Sequence, residues 1–226
     1  NHKKQKQFIT DAGHELKTPL TIINADAEIL EMDYGQNEWL ADIQEQTKHL
    51  TSLTNNLITL SRMEEERTRL QMIDFPFSDV VEETIQSFQA LARTQNKTFE
   101  TSIQPMISLY GDEKSLTQLV SILLDNAMKY STPEGEISLR LEKAGNNVKL
   151  SVYNTADSID REQLPHLFDR FYRTDKSRSS RTGGYGLGLS IAAAVVNTHK
   201  GKITATTQDE HSLLITVTLP LKTQER

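Results

Sequence analysis

Residues 8–20 read FITDAGHELKTPL, a helix-forming stretch in which Gly13 and Pro19 stand on either side of His14. A proline inside a helix removes the amide that would bond the carbonyl four residues earlier, and it bends the helix there. A glycine in the same helix costs about 1 kcal/mol relative to alanine. The histidine is therefore predicted to lie on a helix that is weakened on both sides.

The side chains near His14 suit chemistry at an imidazole. A neutral imidazole nitrogen is a nucleophile, and the adjacent Glu15 can accept the proton released when that nitrogen attacks. Thr18 lies one helical turn further on the same face, within reach of a group carried by the ring. On these residues alone, a surface histidine beside a proline kink is an equally good interpretation.

Outward from this stretch, the first third of the chain has a helical apolar pattern and few helix breakers. Residues 34–37, Tyr-Gly-Gln-Asn, predict a short turn between two helices. Since a two-helix hairpin cannot bury an apolar stripe by itself, we expect two copies to pair into a four-helix bundle. The stripe consists of Ile43, Leu50, Leu53, Leu57 and Leu60 on the second helix, and of Ile9, Leu16, Leu20, Ile23, Ala27 and Leu30 on the first.

The remainder of the chain mixes helical and alternating patterns, which predicts an α+β sandwich. We therefore divide the chain into an all-α hairpin at residues 1–68, a linker at 69–75 and an α+β domain at 76–226. Helices are predicted at residues 77–95, 112–130 and 186–199, and strands at 136–142, 147–153, 201–207 and 212–219.

The composition excludes several classes of protein. The 226 residues carry a formal net charge of −6, which argues against general nucleic-acid binding because that requires a basic surface. The absence of cysteine excludes disulfides, zinc–thiolate sites and cysteine nucleophiles. No apolar run approaches the ~20 residues of a membrane-spanning helix. The chain begins at Asn1 without a signal-peptide pattern, so we expect it to be a fragment of a longer protein.

A second candidate stretch, LLDNAMKYS at residues 123–131, closes the predicted helix at 112–130. The amide oxygen of Asn126 is a hard ligand that suits Mg²⁺. Lys129, one turn later, offers a cation to phosphate. Taken by itself, this stretch is an ordinary end of an amphipathic helix.

A basic, serine-rich segment then leads into a glycine-rich one. Between residues 170 and 181 there are five basic residues and one acidic residue, an unusual concentration in an acidic chain. Residues 183–190, GGYGLGLS, follow as a helix start whose backbone amides can approach and bind a phosphate. The two segments predict a lid over a triphosphate, with a solvated flexible loop as the alternative.

Together and in this order, these segments resemble the catalytic core of sensor histidine kinases of two-component systems, over essentially the whole chain. Residues 14–20 (HELKTPL) resemble the H box of that family, and residues 125–130 (DNAMKY) resemble its N box. Residues 168–173 (FDRFYR) resemble the F box, and residues 184–189 (GYGLGL) the G2 box. Four matches in the right order are far more specific than any one of them.

The resemblance implies a dimeric helical phosphoacceptor domain followed by an ATP-binding domain of the GHKL type, which gyrase and the Hsp90 chaperones share. It implies His14 as the phosphoacceptor, Glu15 as its general base and Thr18 as the residue that positions water to dephosphorylate the partner response regulator. It also implies that the second domain binds ATP and Mg²⁺. The residues at that site would be Asn126, which is also the metal ligand, with Lys129, Tyr130, Asn154, Arg173, Gly184, Gly186, Leu187 and Gly188.

Two positions depart from the family's pattern. The N box usually opens with a second asparagine, and here that position is Ile122, which cannot bind a metal. The family's G1 box, Asp-x-Gly-x-Gly, falls at residues 154–158, which read NTADS. Asn154 can accept a hydrogen bond from the adenine amino group, but more weakly than a carboxylate by on the order of 1 kcal/mol. We therefore expect weak ATP binding that Asn154→Asp would tighten, and additional strain if Ala156 or Ser158 needs a positive φ.

Three functions remain open at this point. The first is a kinase that phosphorylates itself on a histidine, passes the phosphoryl group to an aspartate of a response regulator receiver domain and also dephosphorylates that regulator. The second is a phosphatase-biased or weak-kinase nucleotide-binding core with impaired autophosphorylation. The third is a gyrase- or chaperone-like ATPase, or a serine kinase of the same fold, which has no use for the His14 helix. We favour the first function. We expect the chain to be a homodimer and the cytoplasmic portion of a bacterial sensor. By analogy with the family, other segments of that sensor would anchor it in the membrane.

Overall fold

The structure is a computed structural model that describes residues 2–65, 70–169, 172 and 187–221. The side chains of residues 2–14, 49, 52–53 and 56–65 are not part of the description. The chain forms two compact units, Asn1–Arg67 and Thr68–Arg226.

The first unit is a helical hairpin, as predicted. Helix α1 spans His2–Tyr34 and helix α2 spans Glu38–Glu65. The chain reverses at Gly35, whose φ of 79° lies in the left-handed region that favours glycine. Asn37 then caps α2, because its side-chain oxygen accepts a hydrogen bond from the amide of Leu40 at 2.9 Å.

The hairpin buries one apolar face and leaves a second one open. The buried residues recur at heptad spacing and are Leu20 and Ala27 on α1, with Leu40, Thr47 and Thr54 on α2. Members of the predicted stripe that keep 44–53% of their surface exposed are Leu16, Ile23, Leu30, Ile43 and Leu50. Although α1 has 33 residues, neither it nor any other helix in the described ranges is apolar enough to span a bilayer.

The second unit is the predicted α+β sandwich. Its elements are β1 (Met72–Pro76), α3 (Phe77–Thr94), β2 (Thr98–Ile103), β3 (Ser108–Asp112), α4 (Glu113–Tyr130), β4 (Glu136–Ala144), β5 (Asn147–Thr155), a 3-10 helix (Arg161–Phe168), α5 (Gly188–Thr198), β6 (Lys202–Thr206) and β7 (Ser212–Pro220). The large sheet has the strand order β2-β4-β5-β7-β6, and β1 pairs with β3 in a small second sheet. The β2–β4 pair is parallel, and the other neighbours are antiparallel.

The core lies between the large sheet and the helices that pack on one of its faces. Alternate residues of a strand point to the same face, so each central strand contributes a row of buried side chains. On β5 this row consists of Val148, Leu150, Val152 and Asn154. Helix α4, which packs against β5, has a buried apolar face at Leu116, Leu119, Val120, Leu123 and Leu124. Asn154 is therefore a polar side chain within an apolar row.

The predicted linker at residues 69–75 differs from the structure. Residues 72–75 belong to strand β1, which pairs antiparallel with β3, so this part of the segment is within the second unit. Strands β2 and β3 and the 3-10 helix also have no counterpart in the sequence prediction. Strand β2 shows no regular alternation of buried and exposed residues, and its partner β4 lies far along the chain. Such strands are defined by pairing rather than by their own pattern.

Candidate functional site

Helix α4 carries three of the predicted site residues, and Asp112 fixes where it begins. One carboxylate oxygen of Asp112 accepts hydrogen bonds from the amide and the hydroxyl of Ser115, at 2.8 and 2.7 Å. The other oxygen accepts from the amide of Gln71 at 3.0 Å. Burial raises the pKa of Asp112, but the hydrogen bonds outweigh burial and hold the pKa below its usual value. The cap is therefore a carboxylate at neutral pH.

The far end of α4 presents its polar residues away from the buried face. Asn126 is half-buried, whereas Lys129 and Tyr130 are exposed. The Lys129 ammonium lies 2.6 Å from a carboxylate oxygen of Asp125, one turn earlier on the helix. Exposed ion pairs of this kind contribute less than about 1 kcal/mol. A phosphate can therefore replace Asp125 as the partner of Lys129 at little cost.

The family's second metal-binding asparagine is replaced by Ile122, and the structure gives this side chain a packing role. Ile122 is half-buried, and its Cγ2 would lie 3.5 Å from a Cβ placed on Gly188, at the start of α5. No group of three or more His, Cys, Asp or Glu residues in the described part of the chain could hold a metal ion. Asn126 offers an amide oxygen suited to Mg²⁺, and the ion would take other ligands from phosphate and water.

Asn154, the predicted adenine contact, is 2% exposed near the end of β5, between Ile137 of β4 and Leu213 of β7. Its Nδ2 donates a hydrogen bond to the carbonyl oxygen of Thr155 at 2.8 Å. With the amide group turned this way, its oxygen is the atom left to accept a hydrogen bond from a ligand. The buried side chain therefore has a defined orientation.

The segment that follows Asn154 is joined to the turn between β6 and β7. The amide of Ala156 donates to the carbonyl of His211, and the amide of Ile159 to that of Glu210, both at 2.7 Å. Neither Ala156 nor Ser158 is among the non-glycine residues with positive φ, so the strain considered for them does not arise. The altered G1 segment is thus held by hydrogen bonds without needing glycine.

The start of α5 is the remaining described part of the glycine-rich segment. Leu187 is buried, and Gly188 is the first residue of α5. Leu187 at the N-cap position makes no side-chain cap to this helix start, so the first amides of α5 are suited to an anion. The other predicted residues of the lid, Arg173, Gly184 and Gly186, lie outside the described residues.

The predicted phosphoacceptor region lies on α1. The backbone of His14 is helical, while its side chain is outside the described part of the structure. Glu15 and Thr18 are both exposed, and α1 continues through Pro19. The helix therefore presents Glu15 and Thr18 to solvent near the position of His14.

The structure adds contacts around the site that the sequence did not reveal. The hydroxyls of Thr132 and Thr155 are 2.9 Å apart and join the loop after α4 to the end of β5. Lys97 contacts the same loop from the turn before β2. Lys97 and Thr132 belong to no motif, Thr155 lies in the altered G1 segment, and their interactions cross long stretches of chain. No sequence signal could have identified them.

Two family models match the chain one after the other. The model described as "His Kinase A (phospho-acceptor) domain" matches residues 4–66. The model described as "Histidine kinase-, DNA gyrase B-, and HSP90-like ATPase" matches residues 111–223. The two matches contain the candidate residues on α1 and those of the second unit.

Individual proteins match nearly the whole chain. Sensor protein DltS of Streptococcus agalactiae serotype III (strain NEM316) is 34% identical over 218 residues, which cover 96% of this chain and 55% of DltS. Histidine kinase AdeS of Acinetobacter baumannii is 26% identical, with a TM-score of 0.67 over 93% of this chain and 98% of that one. Full-length ShkA in complex with AMPPNP is 21% identical and shares the fold, with a TM-score of 0.77 over 95% of this chain and 45% of ShkA. The chain spans about half the length of the curated relatives it matches.

Proposed function

The chain belongs to the sensor histidine kinase family, and from this we propose that it transfers the γ-phosphoryl group of ATP to His14 and then to an aspartate of a response regulator. One observation carries the proposal: a phosphoacceptor region at residues 4–66, which contains His14, precedes an ATPase region at 111–223 in a single chain. An ATPase or a serine kinase built on the second region alone would have no use for the first.

The nucleotide would lie between the end of β5, the end of α4 and the start of α5. The oxygen of Asn154 would accept a hydrogen bond from the adenine amino group, since its Nδ2 is already bonded to Thr155. Asn126 would hold Mg²⁺, which offsets phosphate charge and orients the phosphoryl group. The remaining phosphate contacts would come from Lys129, Tyr130, Arg173 and the lid residues Gly184, Gly186, Leu187 and Gly188.

The first transfer requires a neutral imidazole. A ring nitrogen of His14 attacks the γ-phosphorus, a nitrogen–phosphorus bond forms, and the bond from the γ-phosphorus to the bridging oxygen breaks as ADP leaves. Glu15 accepts the proton that the ring loses. In the second transfer a carboxylate oxygen of the regulator displaces the imidazole, which takes up a proton again.

The same region of α1 would support dephosphorylation of the regulator. The exposed hydroxyl of Thr18 would orient a water molecule toward the phospho-aspartate. A phosphatase-biased core with weak autophosphorylation is the second candidate, and the observation that favours it is Asn154 in place of the family's adenine-binding carboxylate.

We also propose the assembly in which this chemistry takes place. The half-exposed apolar residues of the hairpin, including Ile43 and Leu50, would be covered by the hairpin of a second copy. The partner in phosphotransfer would be a receiver domain and not a nucleic acid. The parent protein would be anchored in the membrane through other segments, with this chain in the cytoplasm.

Incubation with γ-labelled ATP tests the proposal. We expect an acid-labile, base-stable label on the chain, which is the signature of phosphohistidine. His14→Gln should abolish the label and leave ATP binding nearly unchanged, while the control His49→Gln should keep both. A label that persists in His14→Gln would refute the assignment of His14. ATP binding without any label in the unaltered chain would favour the phosphatase-biased core.

A further inference from the structure

Lys97 lies outside every motif, in the turn between α3 and β2. Asn96, two residues after the end of α3, has a φ of 54°, and the amide of Lys97 donates to the carbonyl of Ala92 at 2.9 Å. This arrangement closes the helix with a left-handed residue and fixes the backbone that follows it. The amide of Thr98 then begins the contact with β4 by donating to the carbonyl of Gly135 at 3.0 Å. The backbone of Lys97 is therefore held on both sides.

The ammonium of Lys97 is surrounded by oxygen atoms at the end of α4. Its Nζ lies 3.3 Å from the carbonyl oxygen of Met128, 3.1 Å from that of Ser131 and 3.2 Å from that of Thr132. It also donates to the hydroxyl of Ser131 at 2.6 Å. Carbonyls in the last turn of a helix lack intrahelical donors and carry partial negative charge, so a cation stabilises them.

These contacts place a charge in a partly buried position without a carboxylate among the four oxygens. Desolvation lowers the pKa of Lys97, which means that burial of the ammonium opposes this arrangement. The hydrogen bonds offset that cost and hold the carbonyls in return. An exposed lysine with a free side chain would not hold the loop in this way.

The loop that Lys97 holds is attached to the other side of the candidate nucleotide site. The hydroxyls of Thr132 and Thr155 are 2.9 Å apart, and that of Thr155 also accepts from the amide of Glu136 at 3.1 Å. A Cβ on Gly135 would collide with both hydroxyls, which shows how closely the loop approaches β5. The carbonyl of Thr155 in turn accepts the hydrogen bond from Nδ2 of Asn154.

We infer that Lys97 is a positioning residue for the nucleotide, which ties the end of α4 that would bind phosphate to the end of β5 that would bind the base. On the phosphate side it holds the turn that follows Lys129 and Tyr130. On the base side it acts through Thr132 and Thr155 on the orientation of the Asn154 amide. The inference rests on the proposed ATP site and adds to it a residue that touches neither ligand nor metal.

Lys97→Met tests the inference, because it keeps most of the aliphatic stem and removes the charge and every donor. We expect the dissociation constant for ATP to rise about tenfold, which corresponds to the loss of a charge-assisted hydrogen bond from the network. Lys143→Met is the matched control, since Lys143 is an exposed lysine on β4 and loses the same charge. Lys97→Arg keeps the charge and donors and should recover part of the affinity.

Two further measurements separate positioning from simple support of the fold. The preference for ATP over GTP should fall in Lys97→Met, because a loosened Asn154 amide can turn and donate to the guanine carbonyl. Thr155→Val, which removes one hydroxyl and serves if Lys97→Met fails to fold, should lower the same preference. The effects of the two substitutions on ATP affinity should also be non-additive.

The outcomes distinguish failure of the inference from failure of the proposed function. If the unaltered chain does not bind ATP, the proposed function is wrong. Suppose instead that the unaltered chain binds ATP, and that Lys97→Met only lowers the melting temperature. If the folded fraction of that variant keeps its affinity for ATP and its preference for ATP over GTP, Lys97 only supports the fold and the inference is overturned. Unchanged preference in Thr155→Val would likewise remove the proposed connection to the base.

Discussion

At the scale of single residues, Asn154 is where the chain departs most clearly from its family. The family's carboxylate would accept a hydrogen bond from adenine, whereas this amide also donates one, to the carbonyl of Thr155 at 2.8 Å. A comparison of motifs treats the change from Asp to Asn as the loss of a charge. The structure shows that the buried Asn154 amide also donates a hydrogen bond to the carbonyl of Thr155, which a carboxylate could not do.

We therefore predict that Asn154→Asp destabilises the ligand-free chain. The variant loses the donor to Thr155 and places a carboxylate oxygen near that carbonyl, which should lower the free energy of unfolding by about 1–3 kcal/mol at neutral pH. Thermal unfolding measures the change, with Asn147→Asp at the other end of β5 as the control. Calorimetry on the same variant tests whether ATP binding becomes tighter.

The loss of stability in Asn154→Asp should depend on pH in a defined direction. Burial raises the pKa of a carboxyl above its unfolded value of about 3.9, so protonation favours the folded state. Below about pH 3.9 the variant should therefore be nearly as stable as the unaltered chain. It should lose stability as the pH rises through the pKa of the introduced carboxyl in the folded state. A deficit that does not change with pH would show that the carboxylate is not responsible.

At the scale of elements, α4 is held at both ends by residues outside the motif it carries. Asp112 caps its start, and its amide donates to Nε2 of the buried His199 at the end of α5. Lys97 holds the other end through Ser131 and Thr132. The helix that presents Asn126, Lys129 and Tyr130 is thereby fixed in position along its length.

The open apolar face of the hairpin carries the element-scale prediction. Leu50→Glu places a charge on a face that we propose is covered by a second copy, so it should convert a dimer of the chain into a monomer. Ile73→Glu is a matched control, because Ile73 on β1 is 49% exposed and Leu50 is 44% exposed. Light scattering at micromolar concentration measures the mass. A 25.6 kDa mass for the unaltered chain would contradict the prediction.

At the scale of the whole molecule, the two compact units have separate cores. We predict two transitions in scanning calorimetry. The transition of the hairpin unit should depend on protein concentration, since dimerisation links its stability to mass action. ATP with Mg²⁺ should raise the transition temperature of the sandwich unit only. At an ATP concentration one hundred times the dissociation constant, binding should add about 2.7 kcal/mol to the free energy of unfolding of that unit.

A matched variant assigns the transitions. Leu50→Glu should lower the first transition and leave the response of the second to ATP unchanged. A single cooperative transition that ATP shifts as a whole would contradict the independence of the two units. So would a concentration dependence of the ATP-sensitive transition.

Much of this protein could be predicted from sequence because its signals are local. Helical periodicity and a glycine-containing turn defined the hairpin, and alternating residues defined β4, β5 and β7. The order of four short motifs identified the family, since each motif is a contiguous run of residues. The amphipathic pattern of residues 112–130 likewise predicted the helix α4, on which Lys129 and Tyr130 are exposed.

Only the tertiary structure decided which residues far apart in the chain contact each other. The pairing of β1 with β3 turned part of a predicted linker into a strand. The contacts of Lys97 with the end of α4, and of Thr132 with Thr155, join segments that share no local pattern. The physical reason is that a hydrogen bond depends on distance and direction in space, whereas a sequence motif records only neighbours along the chain.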